Sequence, residues 1–286
     1  MIEFKDVTFY YDESQINKNP ALDQVNLEIK EGQFIGVIGH TGSGKSTLLQ
    51  HMNGLLIPTS GEVLVDGIST KIDKKNLVKV RQKVGLVFQY PEHQLFEETI
   101  EKDIAFGAKN MGYSEEEIDK AVRDSMEKVK LDYESMKDLS PFEISGGQKR
   151  RVAIAGVLAM KPKYLILDEP TAGLDPRARD EILDEIYEMY QKSEDLTIVL
   201  VSHSMEDIAR YANRLIVVEK GKILMDDEPI NVFDKYEKLR SIGLDIPQIM
   251  QFMKAYKNKG NKVDDKIISV ERAHEEMKRF LGGIDE

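Results

Sequence analysis

The chain has 286 residues, 41% of them apolar and 32% charged, enough for one large α/β domain, or one plus a small appendage, and too hydrophobic for disorder. A formal net charge of −11 argues against electrostatic binding to nucleic acid, which needs a surplus of clustered cations. The absence of cysteine excludes disulfides, thiol catalysis and Cys-ligated metals.

The opening "MIEFKDVTFYYD" has neither a basic nor an apolar leader region, so no signal peptide is expected. No uncharged apolar run nears the roughly 18 residues that span a bilayer. Residues 1–70 read mostly as strand: "IEFKDVTFYY" and "VNLEI" alternate apolar and polar positions, and "GEVLVDG" is bounded by glycines. "FIGVIG" at 34–39 is apolar without alternation, the pattern of a strand buried on both faces. A glycine-rich loop follows, then a helix predicted to carry Leu48, Leu49, Met52, Leu55 and Leu56 on one stripe.

From about 97 to 143 the sequence turns helical and acidic, with Ser114 and Glu117 spaced as a capping box before Ile118, Ala121, Val122, Met126 and Val129. The α/β pattern resumes with a helix at 146–160, strand "YLILD" at 164–168, a helix at 177–192 and strand "TIVLVSH" at 197–203. "MEDIARYA" reads as a helix and "RLIVVEKGKILM" as a hairpin turning at Gly221. Beyond about 228 only short helical pieces and the polar stretch 257–266 remain.

The chemistry begins with "GHTGSGKST", Gly39, His40, Thr41, Gly42, Ser43, Gly44, Lys45, Ser46 and Thr47. Between a buried strand and a helix, such glycines let backbone N–H groups converge on phosphate, and the helix N-terminus adds partial positive charge. Lys45 can span the β- and γ-phosphates, and Ser46 can offer its hydroxyl to Mg²⁺. "YLILDEPTAGLD" ends a buried strand at Asp168, a carboxylate suited to Mg²⁺, with Glu169 one residue on as a base for the attacking water. His203 and Gln89 close two further strands and can hydrogen-bond the γ-phosphate, the metal or the water. Tyr11, with Tyr10 as competitor, can stack on a purine. "SGGQ", Ser145, Gly146, Gly147 and Gln148, forms a second anion cradle a hundred positions downstream of the first.

These motifs, together with "GLD" at Asp175 and in this order, resemble the ATP-binding cassette ATPases over about residues 1–230. The resemblance implies an α/β P-loop NTPase with an antiparallel β-subdomain, a RecA-like core and a helical subdomain inserted at about 97–160. A C-terminal helical extension at 231–286, a possible dimerisation element, would follow. ATP and Mg²⁺ are implied as cofactors, with Ser46, Gln89 and Asp168 around the metal, Glu169 as base and His203 as γ-phosphate sensor. In that family two cassettes pair head to tail, so Ser145 to Gln148 would act in trans on the other molecule's nucleotide, beside Asp175 of the D-loop. Ile144 stands where the family usually has Leu. "KRR" at 149–151 reads as a solvated or interface face.

Several cassette types are disfavoured. The stretch from Gln89 to Ser145 holds no long coiled coil of the chromosome-clamp kind, one cassette is present rather than two, and no membrane helices are fused. "VFQYPEHQLFEETIEKDIAFG" at 87–107 and "SPFEISGGQKRRVAIAGVLAMKP" at 140–162 are similar to energy-coupling factor transporter ATPases, nearest the second of their two paired subunits. That implies vitamin or transition-metal uptake, including the cobalt type, from the cytoplasmic membrane face. The implied partners are a sister cassette, a transmembrane coupling protein and a substrate-specific membrane protein, with no nucleic acid. Tyr90, Pro91 and the expected exposed apolars Leu95 and Phe96 would grip the coupling protein. A cassette for another solute class, or a soluble ATP-dependent clamp, is the alternative.

Overall fold

The computed structural model describes residues 1–12, 19–71 and 74–282. Strand β3 (Phe34–Ile38) is buried along its whole length, as its unbroken apolar run requires. It pairs in parallel with β8 (Thr197–Val201) and β9 (Arg214–Glu219). Beyond β8 lie β7 (Tyr164–Asp168) and β6 (Val84–Val87), also parallel. The antiparallel edge strand β10 (Lys222–Asp227) turns back from β9 at Lys220–Gly221, giving the order β10-β9-β3-β8-β7-β6.

Alternate residues of these strands face opposite layers. Ile35, Val37, Ile166, Val199 and Ile216 join a core with α1 (Lys45–Met52) and a second, antiparallel sheet. That sheet contains β1 (Ile2–Phe9), β2 (Leu22–Ile29), β4 (Ser60–Val65) and β5 (Ile68–Ser69), ordered β2-β1-β4-β5. Phe34, Leu165, Leu167, Ile198 and Leu200 point the other way, into a core shared with the helices.

Those helices include α3 (Ile100–Asn110), α4 (Glu115–Lys128) and α6 (Gly146–Leu158), which pack on one another, with the short α5 (Tyr133–Met136) between. The Ser114/Glu117 capping box starts α4 as its spacing predicts. Ala121, Val122 and Met126 bury its apolar face. Helix α7 (Pro176–Gln191) links β7 to β8, and α8 (Met205–Tyr211) links β8 to β9. The tail forms α9 (Pro229–Asp234), α10 (Tyr236–Ser241), α11 (Gln248–Asn258) and α12 (Val270–Gly282). Met253, Val263, Ile267 and Ala273 give it a small core of its own. Residues 283–286 of the expected extension lie outside the described residues.

Two expectations are corrected. The helix after the glycine loop stops at Met52, because Asn53 caps it and Gly54 takes a left-handed φ of 66°. Leu55 and Leu56 therefore leave the stripe, and Leu55 is exposed. The polar helix α2 (Lys74–Lys83), with Val80 as its buried contact, appears where no element was expected.

Candidate active site at the carboxyl edge of the sheet

Four neighbouring parallel strands end on the same edge. β3 feeds the glycine loop, β7 ends at Asp168, β8 leads to His203, and β6 runs out to Gln89. Ligands of open α/β sheets bind at this edge. The loop is built around missing side chains. A Cβ on Gly39 would sit 2.3 Å from the Val218 carbonyl oxygen. Gly44 combines a φ of 108° with only 2.6 Å to the Ala21 carbonyl.

Lys45 is buried and folds back over this loop, its Nζ donating to the carbonyls of Gly39 (2.7 Å) and His40 (3.1 Å). Burial pushes its ammonium below the ordinary lysine value, while Glu169 and Asp168 pull it back up. The neighbouring Ser43 Oγ is buried, with no hydrogen-bond partner among the described residues. His40 sets its ring Nε2 2.8 Å from Glu219 Oε2 at the end of β9.

Asp168 is buried, which raises its carboxyl above the usual range against the opposing pull of a Ser46 hydrogen bond and Lys45. Glu169 lies one residue further, held in the left-handed region at a φ of 51°. Such backbone costs about 1–3 kcal/mol and persists where the surroundings enforce it. Its two carboxylate oxygens are divided: Oε1 lies 2.8 Å from His203 Nε2, and Oε2 accepts from Gln89 Nε2 at 3.1 Å. Gln89, Asp168, Glu169, His203, Lys45 and Ser46 are thus one cluster, assembled from four strand ends.

The donor set fits a polyphosphate with a hard cation. An orphaned hydroxyl, a glycine cradle and a buried lysine suit phosphate oxygens, and Ser46, Asp168 and Gln89 offer oxygen ligands. Among the described residues no three His, Cys, Asp or Glu converge as a self-sufficient metal site. A cation here would therefore share its shell with phosphate, as Mg²⁺ commonly does. Tyr11 stands exposed beside this loop, its hydroxyl 2.9 Å from Thr47 Oγ1 and its ring edge-on to Phe9. Tyr10, Tyr11, Gly42, Lys220 and Lys222 line one cavity, so both candidate tyrosines border the same space.

The remaining predicted residues sit apart from this cluster. Ser145 caps α6 and forms a reciprocal capping box with Gln148, which engages both side chains. A Cβ on Gly146 or Gly147 would meet nothing within 4 Å, so the glycine pair faces open space at a helix N-terminus. Asp175 caps α7 by accepting from the Arg177 and Ala178 amides. Along the 3₁₀ turn Pro91–Gln94, Tyr90 is exposed with a φ of 54°, and Pro91 is buried. Leu95 corrects the expected pair of exposed apolars: it is buried with Ile100 and Ile104. Phe96 alone stays out, 57% exposed and edge-on to Phe106.

A fourth correction concerns "KRR". Arg150 is not solvated; it is fully buried. Its guanidinium grips Glu92 through two bonds of 3.0 and 2.7 Å and donates a third, of 2.8 Å, to the Ala172 carbonyl. Arg151 pairs with Glu185 and Glu181 on α7.

The chain is similar to known proteins in sequence and in architecture. The ABC transporter family matches residues 22–172. The energy-coupling factor transporter ATP-binding protein EcfA2 of Clostridium tetani is 55% identical over 280 residues, 98% of this chain and 97% of that protein. Its namesake in Bacillus subtilis is 50% identical over 266 residues, 92% of this chain and 96% of that one. Among solved structures, cbiO1 from Clostridium perfringens, part of the ABC transporter complex cbiONQ, superposes with a TM-score of 0.73 at 37% identity, covering 88% of this chain and 98% of that chain. The cassette MJ0796, a dimer in a post-hydrolysis state with ADP and Pi, gives 0.70 at 31% identity, with 80% and 99% covered. With its glycine loop, buried aspartate and following glutamate gathered at one sheet edge, the chain belongs to the ABC transporter ATPases, among the energy-coupling factor ATP-binding proteins.

Proposed function

We propose that this chain powers uptake of a vitamin or transition-metal micronutrient, as one of two paired cassettes docked on the cytoplasmic face of a membrane complex. No described helix is long and apolar enough to cross a membrane. The transport path would therefore belong to partners, a transmembrane coupling protein and a substrate-specific protein.

The geometry supports the following roles. Lys45 and the amides of residues 39–47 hold the phosphates. Ser46, Asp168 and Gln89 would hold Mg²⁺, which would supply positive charge against the phosphates. Glu169 accepts the proton of the attacking water, and Gln89 and His203 on its two oxygens fix where the carboxylate points. Tyr11 stacks on the base. The observation that carries the reading is the split between the two cradles: the lysine loop lies at the sheet edge, while a Cβ on Gly146 or Gly147 would meet no described residue within 4 Å. Ser145 to Gln148 then complete the site of a partner cassette, with Asp175 beside them.

Phe96 with Phe106, and Tyr90 above the buried Pro91, form the face that docks on the coupling protein. Residues 231–286 add a dimerisation element. In support, Phe252, Val270 and Leu281 are exposed on α11 and α12, and the Gln248 amide donates to Glu206, three residues past His203. Purification of the chain from its native membrane tests the assembly. Co-purification of a second cassette and two membrane proteins, with magnesium-dependent ATP turnover, is expected. Recovery of the chain with nucleic acid or ribosomes and no membrane protein would overturn it.

A further inference from the structure

We infer that Arg150 is a positioning residue that locks the turn carrying Glu169, the segment Gln89–Gln94 and the amino end of α6 into one moving body. The contacts close a ring. Gln89 Nε2 donates to Glu169 Oε2 at 3.1 Å. The Ala172 amide donates to the Glu169 carbonyl at 3.1 Å, and the Ala172 carbonyl accepts from Arg150 Nη1 at 2.8 Å. Arg150 Nε and Nη2 then take both oxygens of Glu92. Glu92 leads back to Gln89 along three residues of chain.

Only arginine suits this junction. Its planar fork meets a carboxylate with two parallel bonds while a third N–H points elsewhere, which a lysine ammonium cannot reproduce. The side chain is 1% exposed and that of Glu92 18%, so water does not replace a lost bond at the arginine. Burial alone would push the Glu92 carboxyl up; the guanidinium outweighs it and holds Glu92 below the usual carboxylate range. The turn also passes close to Tyr90, since a Cβ added at Gly173 would lie 3.4 Å from its ring.

The consequence is a coupling between two sites. Arg150 sits one helical turn beyond Gly146, so displacing Gln89–Gln94 moves the glycine pair that serves a partner's nucleotide. The same displacement moves the turn that aims the chain's own Glu169. The inference rests on the family's ATPase reaction and not on which membrane proteins bind.

The test compares the full chain with Glu92→Gln, Arg150→Gln and Arg150→Lys, measuring ATP turnover, nucleotide affinity, thermal unfolding and amide exchange with magnesium and ATP. Breaking the ring in Glu92→Gln or Arg150→Gln is expected to lower kcat about tenfold or more, with KM and affinity within about twofold. Arg150→Lys, which keeps one ionic contact, falls between. Exchange should quicken together at 144–149 and 169–174 and stay unchanged at 39–47. If an Arg150 variant does not fold, Glu92→Gln decides, and its exchange pattern needs no turnover. Parent kcat in a folded Glu92→Gln, quickening confined to 91–94, or a uniform rise over the whole chain would overturn the inference.

Discussion

Glu169 and His203 face each other across 2.8 Å, and the other oxygen of Glu169 accepts from Gln89. A carboxylate oriented from both sides can accept a proton from a water at a fixed position. A general base of this kind contributes about 10²–10⁴-fold. Glu169→Gln keeps the size but removes the basicity and turns one of the two accepting oxygens into a donor. Turnover is therefore expected to fall at least about a hundredfold with nucleotide affinity unchanged. Single-turnover ATP hydrolysis checks this, and parent-like turnover would refute the role of Glu169.

The glycine pair of α6 yields a separation of stability from activity. Since a Cβ on Gly147 meets nothing within 4 Å, Gly147→Asp does not clash inside its own chain, and a carboxylate in the first turn of a helix suits the dipole. Its unfolding midpoint should match the parent's within a few degrees, and ATP should still bind to the Lys45 loop. If the pair completes a partner's site, turnover should nonetheless be lost, because the new charge then meets the phosphates of that nucleotide. Thermal unfolding and ATPase assays on one preparation distinguish the two effects.

What could be read from the chain before folding divides along physical lines. Strand ends were legible because an unbroken apolar run such as "FIGVIG" or "YLILD" has one stable placement, buried on both faces, and its polar successor must then lie at the sheet edge. The reciprocal cap of Ser145 and Gln148 is local in sequence and could likewise have been seen. The Glu92–Arg150 pair could not, since its partners lie 58 positions apart and nothing local specifies the match. A trace did exist: Arg150, Ile154 and Leu158 recur every fourth residue on the buried side of α6. An arginine on that stripe needs an internal partner. Leu95 and Phe96 are adjacent apolars with no periodicity to rank them, and tertiary packing alone decides which one is buried.

Tyr11 permits the ring and the hydroxyl to be weighed separately. Stacking of a base on an aromatic ring is worth about 1–3 kcal/mol, so Tyr11→Ala should weaken ATP binding about tenfold. Tyr11→Phe keeps the ring and loses only the contact with Thr47 Oγ1, a net hydrogen bond of about 1 kcal/mol. Its affinity should drop by no more than about fivefold. Equal losses in both variants would show that the hydroxyl, not the ring, matters. No loss in Tyr11→Ala would move the stacking role to Tyr10.

Far from the site, Asp66 ties the two sheets together. Its carboxylate accepts from Lys83 at 2.7 Å and Tyr164 at 2.8 Å, with the α-amino group at 2.6 Å. Burial would raise this carboxyl, but those partners outweigh it and hold it far below the ordinary carboxylate range. A depressed folded-state pKa stabilises fully above the unfolded value of about 3.9 and is lost as pH falls through the folded one. The stability gap between the parent and Asp66→Asn should therefore be widest near neutral pH and shrink steadily below about pH 4. Denaturant titrations across that range measure it, and a gap independent of pH would contradict the ionic account.

Leu95 and Phe96 provide a matched pair of substitutions for the docking face. Leu95 is buried among Ile100 and Ile104, so Leu95→Ala leaves a cavity and should destabilise the chain by about 2–5 kcal/mol. Phe96 is 57% exposed, and within the chain it loses chiefly its edge-on contact with Phe106. Phe96→Ala should therefore cost only about 1 kcal/mol. If the exposed ring anchors a membrane partner, its removal acts on assembly: the membrane proteins no longer co-purify, while ATP binding and the fold persist. Chemical denaturation measures the first contrast and affinity purification from solubilised membranes the second. A Phe96→Ala chain that still recovers its membrane partners in full would remove this ring from the docking face.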